Sequence, residues 1–589
     1  MNRVADLLKG YEGPNPFSDS QPRNFADGKT IEEFHPVSSF WSLFNDQHEV
    51  LLGSRGSGKT FLLRSMRYSM LKKIDDPRAK KLIEDKDFIA VYVPMHLERV
   101  NHFCSNDIPD TEQIKRFQVF FNYALAQAVV TELISIVEDI TEISRRADCA
   151  YNLAYNLNRV WFNEDNRKID NLKTLSAKID QMFYNIDWED KNSVPVIFYG
   201  TICTSLLAVK KIISQILLWE DEPTWIICVD EAEFLSKNYQ RCINTVFRSD
   251  SNRITFKVAT LPFFHNTLET LADDVQVANG HDFNYRVIDL SYQDQDFIDL
   301  TNKLVKHRIK TRIDKDICCE CLEDFLGVEG KDDLIDYFRL EMGEDYAQKD
   351  AIMSGIIRSF SKTRNRNASS YSNPQKSIYD KYAHVYYVRE VRKNDVGNHK
   401  PSWFAGGKVI RKVSQGNPRM FIQLMNALCE AARKSQLKPS IQHEVVYQFA
   451  DEYCEATKAL EGMGPILYKN LNLIGKCIEN KVHLGPINTY GTSFKLSEND
   501  NDDTKWLQVA IAYSRIIVDD ETKRNGIKND TKFGLANVYA VKHWIPMRNE
   551  TVMNIKLKNE GLNSYLVETE RDTLEESDYQ LSFNLEELK

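Results

Sequence analysis

The chain has 589 residues, of which 42% are hydrophobic, 27% charged and 11% aromatic. A typical domain has about 100–150 residues, so this length predicts several folded domains, and the composition excludes collagenous, mucin-like and mainly disordered proteins. The net charge is −9, but −6 of it falls in residues 568–589, so the nearly balanced body leaves anion binding open.

The N-terminal sequence lacks the apolar core of a secretory signal, and we expect no stretch with the roughly 18 uncharged apolar residues of a membrane-spanning helix. The prediction is a cytoplasmic protein without membrane contact. Eleven cysteines are spread through the sequence, which is typical of reduced thiols. Cys318, Cys319 and Cys321 have no second Cys or His pair nearby for zinc, so we expect ordinary helix cysteines.

The first functional motif, GSRGSGKT, follows a short apolar run at residues 50–52 and fits the GxxxxGK[ST] pattern of a phosphate-binding loop. Glycines let backbone N–H groups turn toward phosphate, and the next helix directs its N-terminus at the same anion. We expect Lys59 to reach the β- and γ-phosphates of ATP, and the Thr60 hydroxyl to bind Mg²⁺. The predicted nucleotide-binding residues are Gly53, Ser54, Arg55, Gly56, Ser57, Gly58, Lys59 and Thr60.

An apolar run at residues 87–95 predicts a second strand. Apolar residues then recur at helical spacing, which predicts a helical insertion over about 96–220 and accounts for the 171 positions from Lys59 to Asp230. Such a stripe is typical of packed core, and we assign it no chemistry.

The segment TWIICVDEAE predicts a buried parallel strand, because five apolar residues precede Asp230 and Glu231. Asp230 is expected to hold Mg²⁺, usually through water, and Glu231 to polarise the attacking water as general base. An Asp-Glu pair together with a phosphate-binding loop favours hydrolysis of ATP. No NKxD-type guanine-recognition motif occurs in the sequence.

Two later residues are candidate sensors of the γ-phosphate. Residues 253–262 predict a strand beside the Asp230 strand, with Thr260 at its polar end; a plain strand end is the alternative. Further on, Asn417 and Pro418 predict the start of a helix. Arg419 lies in its first turn, where a cation gains nothing from the helix dipole, so we expect its guanidinium to reach the γ-phosphate. A surface arginine is the alternative.

The motifs above resemble those of AAA-type ATPases, and this resemblance implies an arginine finger, by which one subunit completes its neighbour's active site; no motif fixes that residue here. Arg248, Arg253 and Arg286 are candidates, and Arg286 opens the apolar run RVIDL, expected to be the fifth strand. Without a finger, turnover would be slow or partner-dependent, because such arginines contribute about 10³- to 10⁵-fold.

The rest of the chain carries weaker signals. A polar segment at 362–377 predicts an exposed loop. After residue 460, two helices precede a predicted strand–turn–strand with Asn525-Gly526 at the turn, a pattern typical of a winged-helix module. The predicted wing carries Lys523, Arg524, Lys528 and Lys532. Acidic residues accompany them, so the domain either contacts double-stranded DNA or serves as a protein-interaction wing.

The motifs GSRGSGKT, WIICVDEAE, VATLP and QGNPRMFIQLMNAL together resemble those of AAA-type ATPases of the origin-recognition-like branch, which includes bacterial members. GNPR is similar to that branch's second sensor, and NPFSDSQPRNF resembles its approach segment near the adenine. The resemblance implies an α/β fold: a P-loop AAA-type five-stranded parallel sheet with helices on both faces, a helical lid and a C-terminal winged-helix-like domain. It also implies ATP-dependent switching, in oligomers or on DNA.

These signals divide the chain into six expected segments. They are an N-terminal approach segment at 1–45, an ATPase core at 46–300 with the insertion, an extra region at 301–400, a helical lid at 401–460, a winged-helix-like domain at 461–565 and an acidic tail at 566–589. The tail either competes with phosphate for the wing's lysines, docks onto a basic partner, or only keeps the protein soluble.

The sequence therefore predicts an ATP- and Mg²⁺-dependent switch that hydrolyses ATP and acts on DNA or a partner protein. A homo-oligomer or an effector protein is the expected protein partner. By analogy with bacterial relatives, antiphage defence or mobile-element biology is the expected setting. The alternative is a nucleotide-gated signalling or oligomerisation scaffold with negligible turnover that recruits an effector protein.

Overall fold

A computed structural model describes the following residues of the chain: 4–18, 34–98, 100, 108–164, 169–190, 193–249, 253–327, 385, 388, 389, 392, 402–460, 462–485, 491–496, 505–547, 552–559 and 565–569. The chain forms two compact units. The core unit comprises residues 21–53 and 58–288, and the C-terminal unit comprises residues 1–20, 54–57 and 289–589.

A five-stranded sheet with the order β2-β3-β4-β1-β5 forms the centre of the core unit. Its strands are β1 (Glu49–Leu52), β2 (Phe88–Pro94), β3 (Thr224–Asp230), β4 (Ile254–Thr260) and β5 (Asn284–Val287). All neighbouring strands are parallel. The structure thus confirms the predicted second strand and the strands ending at Asp230 and Thr260. The fifth strand begins two residues before Arg286 and ends at Val287.

Alternating side chains of the sheet enter two separate hydrophobic clusters. In β1, Val50 and Leu52 join one cluster, whereas Leu51 joins the other. In β3, Ile227 and Ile226 divide in the same way. Every residue of β3 is buried, as expected for a parallel strand with both faces covered.

Ten α-helices with fully described bounds accompany this sheet in the core unit. They are α1 (Ser38–Trp41), α2 (Lys59–Ser65), α3 (Tyr68–Leu71), α4 (Pro77–Asp85), α5 (Asp110–Glu138), α6 (Ile143–Phe162), α7 (Leu172–Tyr184), α8 (Thr204–Leu207), α9 (Lys210–Leu217) and α10 (Lys237–Phe247). Short 3₁₀ helices span Val196–Tyr199 and Ala232–Phe234. Helices α5–α9 lie within the predicted insertion, which is therefore helical.

Helix α5 covers one face of the sheet. It packs against β2, and its Phe117 ring stacks on Tyr239 of α10 with centroids 4.6 Å apart. By length and composition α5 could cross a membrane, with a mean hydropathy of 1.5 over 18 residues, although its longest uncharged run, residues 117–131, is shorter than the roughly 18 expected of a spanning helix. In the core unit 67% of that window is buried, because the helix supplies core packing.

A buried ion group lies at the start of β1. Glu49 Oε2 is 3.0 Å from Lys257 Nζ, and Glu49 Oε1 is 2.5 Å from Arg286 Nη2. The Lys257 side chain is fully buried and also donates to Asn45 Oδ1 at 2.9 Å. Burial lowers the pKa of Lys257, and Glu49 opposes that shift. Glu49 therefore compensates a buried cation.

We expect Glu49→Gln to reduce the free energy of unfolding of the core unit by about 3 kcal/mol, because it leaves a buried ammonium group without its counter-ion. Urea unfolding followed by circular dichroism measures the loss. The matched control is Asp75→Asn, which breaks an exposed pair with Lys80 and is expected to cost less than about 0.5 kcal/mol. Equal losses in the two variants would contradict the assignment.

Nine α-helices of the C-terminal unit have fully described bounds. They are α11 (Gln295–Arg312), α12 (Leu322–Leu326), α13 (Gly407–Ser414), α14 (Pro418–Lys434), α15 (Pro439–Glu455), α16 (Gly464–His483), α17 (Lys505–Ala512), α18 (Asp520–Asn525) and α19 (Asn537–Lys542). The 3₁₀ helices are Val4–Leu8 and Ala456–Ala459. The strands are β6 (Ser493–Leu496), β7 (Ile516–Ile517), β8 (Phe533–Leu535), β9 (Val552–Asn559) and β10 (Tyr565–Thr569), in the order β10-β9-β6-β8-β7.

The hairpin predicted at Asn525-Gly526 is wrong. Strands β7 and β8 do pair antiparallel, but α18 lies between them. Asp519 caps this helix by accepting the Thr522 backbone N–H, and Gly526, with φ +89°, follows its last residue. Acidic residues in the first turn and basic residues in the last stabilise a helix through its dipole, so this local pattern outweighs the turn signal of Asn-Gly.

Smaller predictions have mixed outcomes. Cys318 and Cys319 precede α12 and Cys321 is its N-cap residue, so these cysteines do not lie within a helix as expected. The described residues contain no group of three or more His, Cys, Asp or Glu side chains that could hold a metal ion. Strand β10 includes residues 566–569, assigned above to the acidic tail. The polar segment at 362–377, the tail from 570 and positions 19–33 lie outside the described residues.

Residues 4–18 of the approach segment belong to the C-terminal unit, whereas its residues 34–45 belong to the core unit. Asn15 Nδ2 donates to the Asn426 carbonyl oxygen at 3.0 Å and to Glu430 at 2.7 Å, both on α14. Phe17 is buried beneath the Arg308 guanidinium, 5.2 Å from its ring centroid. This segment is thereby fixed on helices α14 and α11.

Candidate active site

Helix α2 starts at the lysine of the phosphate-binding loop. Its N-cap residue Gly58 has φ +98°, a conformation that glycine adopts without strain, and its carbonyl accepts the Leu62 N–H. Lys59 is buried, and its Nζ donates to the Gly53 carbonyl oxygen at 2.5 Å. The ammonium group is therefore held over the start of its own loop.

Asp230, at the end of β3, collects hydrogen bonds from several elements. Its Oδ2 accepts the Tyr92 hydroxyl at 2.7 Å and its Oδ1 accepts the Glu231 backbone N–H at 3.0 Å, while the Thr60 side chain also bonds the carboxyl group. Burial raises the pKa of Asp230, whereas the bonds from Tyr92 and Thr60 oppose that shift. The two predicted metal ligands, Thr60 and Asp230, thus lie together.

Glu231 has an unusual backbone and a specific partner. Its φ is +60°, which is uncommon for a residue with a side chain and costs of order 1 kcal/mol. Its Oε2 lies 3.1 Å from His96 Nδ1, just after β2. Because Pro94 pairs with Asp230 in the sheet, the ends of β2 and β3 are adjacent and bring these side chains together.

A third acid, Glu233, lies near Lys59 in the 3₁₀ helix Ala232–Phe234. Burial raises the pKa of Glu233, and the charge of Lys59 is the largest influence opposing that shift. Glu233 Oε2 has no hydrogen-bond partner among the described residues. Lys59 is therefore surrounded by Asp230 and Glu233, two acids whose charges it partly offsets.

Thr260 ends β4, and its carbonyl accepts the Gly53 N–H at 3.2 Å. Its side chain lines a small apolar cavity with Val50, Leu235 and Phe247. Within the described chain Thr260 Oγ1 has no hydrogen-bond partner. The structure thus brings the backbone of Thr260 to the phosphate-binding loop but gives its hydroxyl an apolar environment.

The residues around Lys59 suit a magnesium nucleotide. A hydroxyl and a carboxylate are the hard oxygen donors that Mg²⁺ prefers, and Thr60 and Asp230 supply them side by side. The N-terminus of α2 and the Lys59 ammonium group provide positive charge for phosphate. This donor set fits ATP with Mg²⁺.

The tip of the loop, Ser54–Ser57, belongs to the C-terminal unit. Asn417 Nδ2 donates to the Arg55 carbonyl oxygen at 2.9 Å, and the Arg419 N–H donates to the Gly56 carbonyl oxygen at 3.3 Å. As predicted, Asn417 also caps α14 by accepting the N–H groups of Arg419 and Met420. The predicted second sensor, Arg419, therefore lies directly against the loop tip.

Gly56 has φ +94° and no room for a side chain. A Cβ atom there would lie 2.6 Å from Asn417 Oδ1 and 2.8 Å from Arg419 Cβ. The glycine permits both the backbone conformation and the close approach of α14. A cleft of about 840 Å³ in the same unit is lined by residues that include Ser54, Ser57 and Asp289.

Each candidate arginine finger has a partner inside the core unit. Arg286 pairs with buried Glu49. Arg248 Nη1 lies 2.9 Å from Asp282 Oδ1, and Arg253 donates to the Glu222 carbonyl oxygen. Arg286 is the least suited to act on another subunit. Withdrawing it would remove one of the two cations that pair with the buried Glu49 carboxylate.

Lys523 and Lys528 of the predicted wing form ion pairs. Lys523 Nζ is 2.7 Å from Asp289 Oδ2, and Lys528 Nζ is 3.0 Å from Glu521 Oε1. Arg524 and Lys532 are exposed. The predicted recognition helix, α17, buries five of its eight residues and exposes Lys505. Because some of these basic side chains are paired with acids, the structure supports contacts with DNA phosphates less strongly than the sequence does.

Sequence reasoning missed four residues of the site: Tyr92, His96, Glu233 and Asp289. Tyr92 and His96 had a usable signal, because the carboxyl end of β2 must lie beside that of a neighbouring parallel strand. Glu233 lies two residues after Glu231. Asp289 had no local signal, since its role depends on a contact with Ser54, far away in the sequence.

The sequence matches the model of the ORC-CDC6-like family across residues 15–555, which is most of the chain. The chain belongs to the ORC-CDC6-like family. The family and the sheet together show an origin-recognition-like AAA-type ATPase with the α/β P-loop fold. A comparison with curated proteins finds no match.

Within this ORC-CDC6-like chain, Gly56→Ala is expected to weaken binding of a fluorescent ATP analogue by more than about tenfold, since one clash plus left-handed strain exceeds about 1.4 kcal/mol. Equilibrium titration of the full chain measures the Kd.

Gly280→Ala is the matched control for Gly56→Ala. Gly280 has a similar φ of +86° but nothing within 4 Å of an added Cβ, so its substitution adds strain without a clash. We expect the control to bind the analogue as the wild type does. A wild-type Kd for Gly56→Ala would show that the approach of α14 to the loop tip does not matter for binding.

Proposed function

We propose that this ORC-CDC6-like protein is a switch that binds ATP with Mg²⁺ at residues 53–60 and hydrolyses it slowly. The observation that carries the proposal is the convergence of Thr60 on Asp230, with Lys59 and Glu231 beside them. These side chains come from the helix after the loop and from the end of β3. They supply the positive charge, the metal ligands and the base that ATP hydrolysis requires.

In this mechanism Lys59 would bind the β- and γ-phosphates, while Thr60 and Asp230 would hold Mg²⁺, whose positive charge would offset that of the phosphates. Glu231 accepts the proton of the attacking water and orients it. His96, bonded to Glu231, fixes the carboxylate before nucleotide arrives. Thr260 and Arg419 are the proposed sensors, Arg419 because it lies at the loop tip.

Slow or partner-dependent turnover is supported by the arginine contacts. Arg248, Arg253 and Arg286 are already bonded within the core unit, so a finger would have to leave an existing partner. The same observation favours the second candidate function, a nucleotide-gated scaffold with negligible turnover. A homo-oligomer or an effector protein would then respond to the nucleotide state.

The proposed partner of the winged-helix-like segment at 461–565 is double-stranded DNA or an effector protein. Exposed Arg524 and Lys532 support phosphate contact, whereas the ion pairs of Lys523 and Lys528 reduce the charge available for it. A cytoplasmic setting in antiphage defence or mobile-element biology is proposed from the resemblance to bacterial members alone. The genes beside this one test that setting.

Two substitutions separate binding from hydrolysis. We expect Lys59→Ala to abolish binding of the fluorescent ATP analogue, because it removes the phosphate-binding cation. We expect Glu231→Gln to keep binding but to lower steady-state phosphate release by at least about 100-fold, the contribution of a general base. The matched control is Glu98→Gln, an exposed acid shortly after β2, with unchanged turnover.

Different outcomes reject different parts of the proposal. Binding retained by Lys59→Ala would contradict nucleotide binding at this loop. No measurable turnover by the wild type, with or without DNA, would contradict hydrolysis and leave the scaffold. Stimulation of wild-type turnover by double-stranded DNA, with an affinity that falls steeply as salt rises, would identify DNA as the partner.

A further inference from the structure

A single carboxylate holds the first residue of the loop tip. Asp289 Oδ1 accepts the Ser54 backbone N–H at 2.8 Å, and Asp289 Oδ2 accepts the Ser54 hydroxyl at 2.9 Å. Two bonds to one residue fix both the backbone and the side-chain rotamer of Ser54. Bonds to an ionised acceptor are also about twice as strong as neutral ones.

The same carboxylate is paired with a lysine of α18. Lys523 Nζ lies 2.7 Å from Asp289 Oδ2, and the two side chains are only 11% and 16% exposed. Partial burial makes such a pair stronger than a surface ion pair. Asp520 lies farther away, at 3.7 Å from Lys523, and is 55% exposed, so Asp289 is the main partner of Lys523.

An independent contact ties the next loop residue to the end of α17. The Arg55 N–H donates to the Ala512 carbonyl oxygen at 2.8 Å, which gives a partner to a carbonyl at a helix C-terminus. The Arg55 guanidinium donates to the Tyr513 hydroxyl at 3.2 Å and lies 5.3 Å from the centre of that ring. Two successive loop residues, Ser54 and Arg55, are thus held by the segment 505–525 and its ion pair.

We propose that Asp289 is a positioning residue for nucleotide binding, which orders the loop tip through Ser54, and that Lys523 makes this ordering depend on α18. The inference rests on the proposed function, ATP binding at residues 53–60. Because the tip is already ordered before nucleotide binds, binding causes a smaller loss of conformational entropy. Because coupling is reciprocal, a partner that displaces α18 weakens nucleotide binding, and bound nucleotide opposes that displacement.

The test uses the full chain, the fluorescent ATP analogue with Mg²⁺, and steady-state turnover. Asp289→Asn keeps an acceptor for Ser54 but removes the charge that pairs with Lys523, and Lys523→Met removes the cation. We expect a Kd and a KM raised about tenfold by Asp289→Asn and about threefold by Lys523→Met, with kcat within about twofold of the wild type. A purely structural role would instead lower the folded fraction and reduce kcat at unchanged KM.

A double-mutant cycle tests whether Lys523 acts through Asp289. We expect the double variant to bind no more weakly than Asp289→Asn alone, because the cation has lost its partner. Additive losses would overturn the coupling. The matched control is Lys458→Met, which removes another lysine of the C-terminal unit, 2.6 Å from Glu455, and should leave the Kd unchanged.

The remaining outcomes are also decisive. Wild-type Kd values for both single variants, with binding lost in Lys59→Ala, would overturn this inference and leave the proposed function intact. Tighter binding by either variant would overturn it as well, because the contact would then oppose nucleotide binding. Binding retained by Lys59→Ala would reject the proposed function itself. Where Asp289→Asn fails to fold by circular dichroism, Lys523→Met and its control carry the test.

Discussion

The constraint on which the candidate site depends is the contact between Gly56 and the start of α14. A Cβ on Gly56 would meet Asn417 and Arg419, so only glycine allows this approach. The Asn417 side chain makes two contacts: its Oδ1 caps α14, and its Nδ2 donates to the Arg55 carbonyl oxygen. Within the sequence GNPR, Asn417 therefore both starts helix α14 and connects that helix to the tip of the phosphate-binding loop.

A second group of residues depends on the order of the parallel strands. Because β2 lies beside β3, Tyr92 reaches Asp230 and His96 reaches Glu231. Each acid of the Asp-Glu pair thus has a partner from the neighbouring strand or the loop after it. The buried ion group of Glu49, Lys257 and Arg286 lies at the other end of the strands, where it stabilises the sheet without taking part in the proposed chemistry.

Much of the fold followed from local sequence patterns. The apolar run before Asp230 identified a strand buried on both faces, and Asn417-Pro418 located a helix start, because both signals act over a few residues. The same local reasoning failed at Asn525-Gly526. A helix forms there in place of the predicted turn, because Asp519 caps its N-terminus. Length and hydropathy alone also cannot assign α5, because they do not distinguish a buried core helix from a membrane-spanning helix.

The residues that escaped prediction act through long-range contacts. Asp289 bonds Ser54 and Lys523, each more than two hundred positions away, and no spacing rule connects them. The partners of the candidate arginine fingers could not be predicted either, because they also lie far from these arginines in the sequence. Recognising a motif therefore located the loop and its acids, but not the side chains that hold the loop in shape.

The central claim is that residues 53–60 form the nucleotide site and that α14 and the segment 505–525 hold its tip. Hydrogen–deuterium exchange on the full chain, with and without a saturating non-hydrolysable ATP analogue and Mg²⁺, tests it most directly. The account predicts slower exchange in peptides covering residues 54–65 and, through the loop contacts, in those covering 512–525. Unchanged exchange in both regions while the analogue is bound would contradict it.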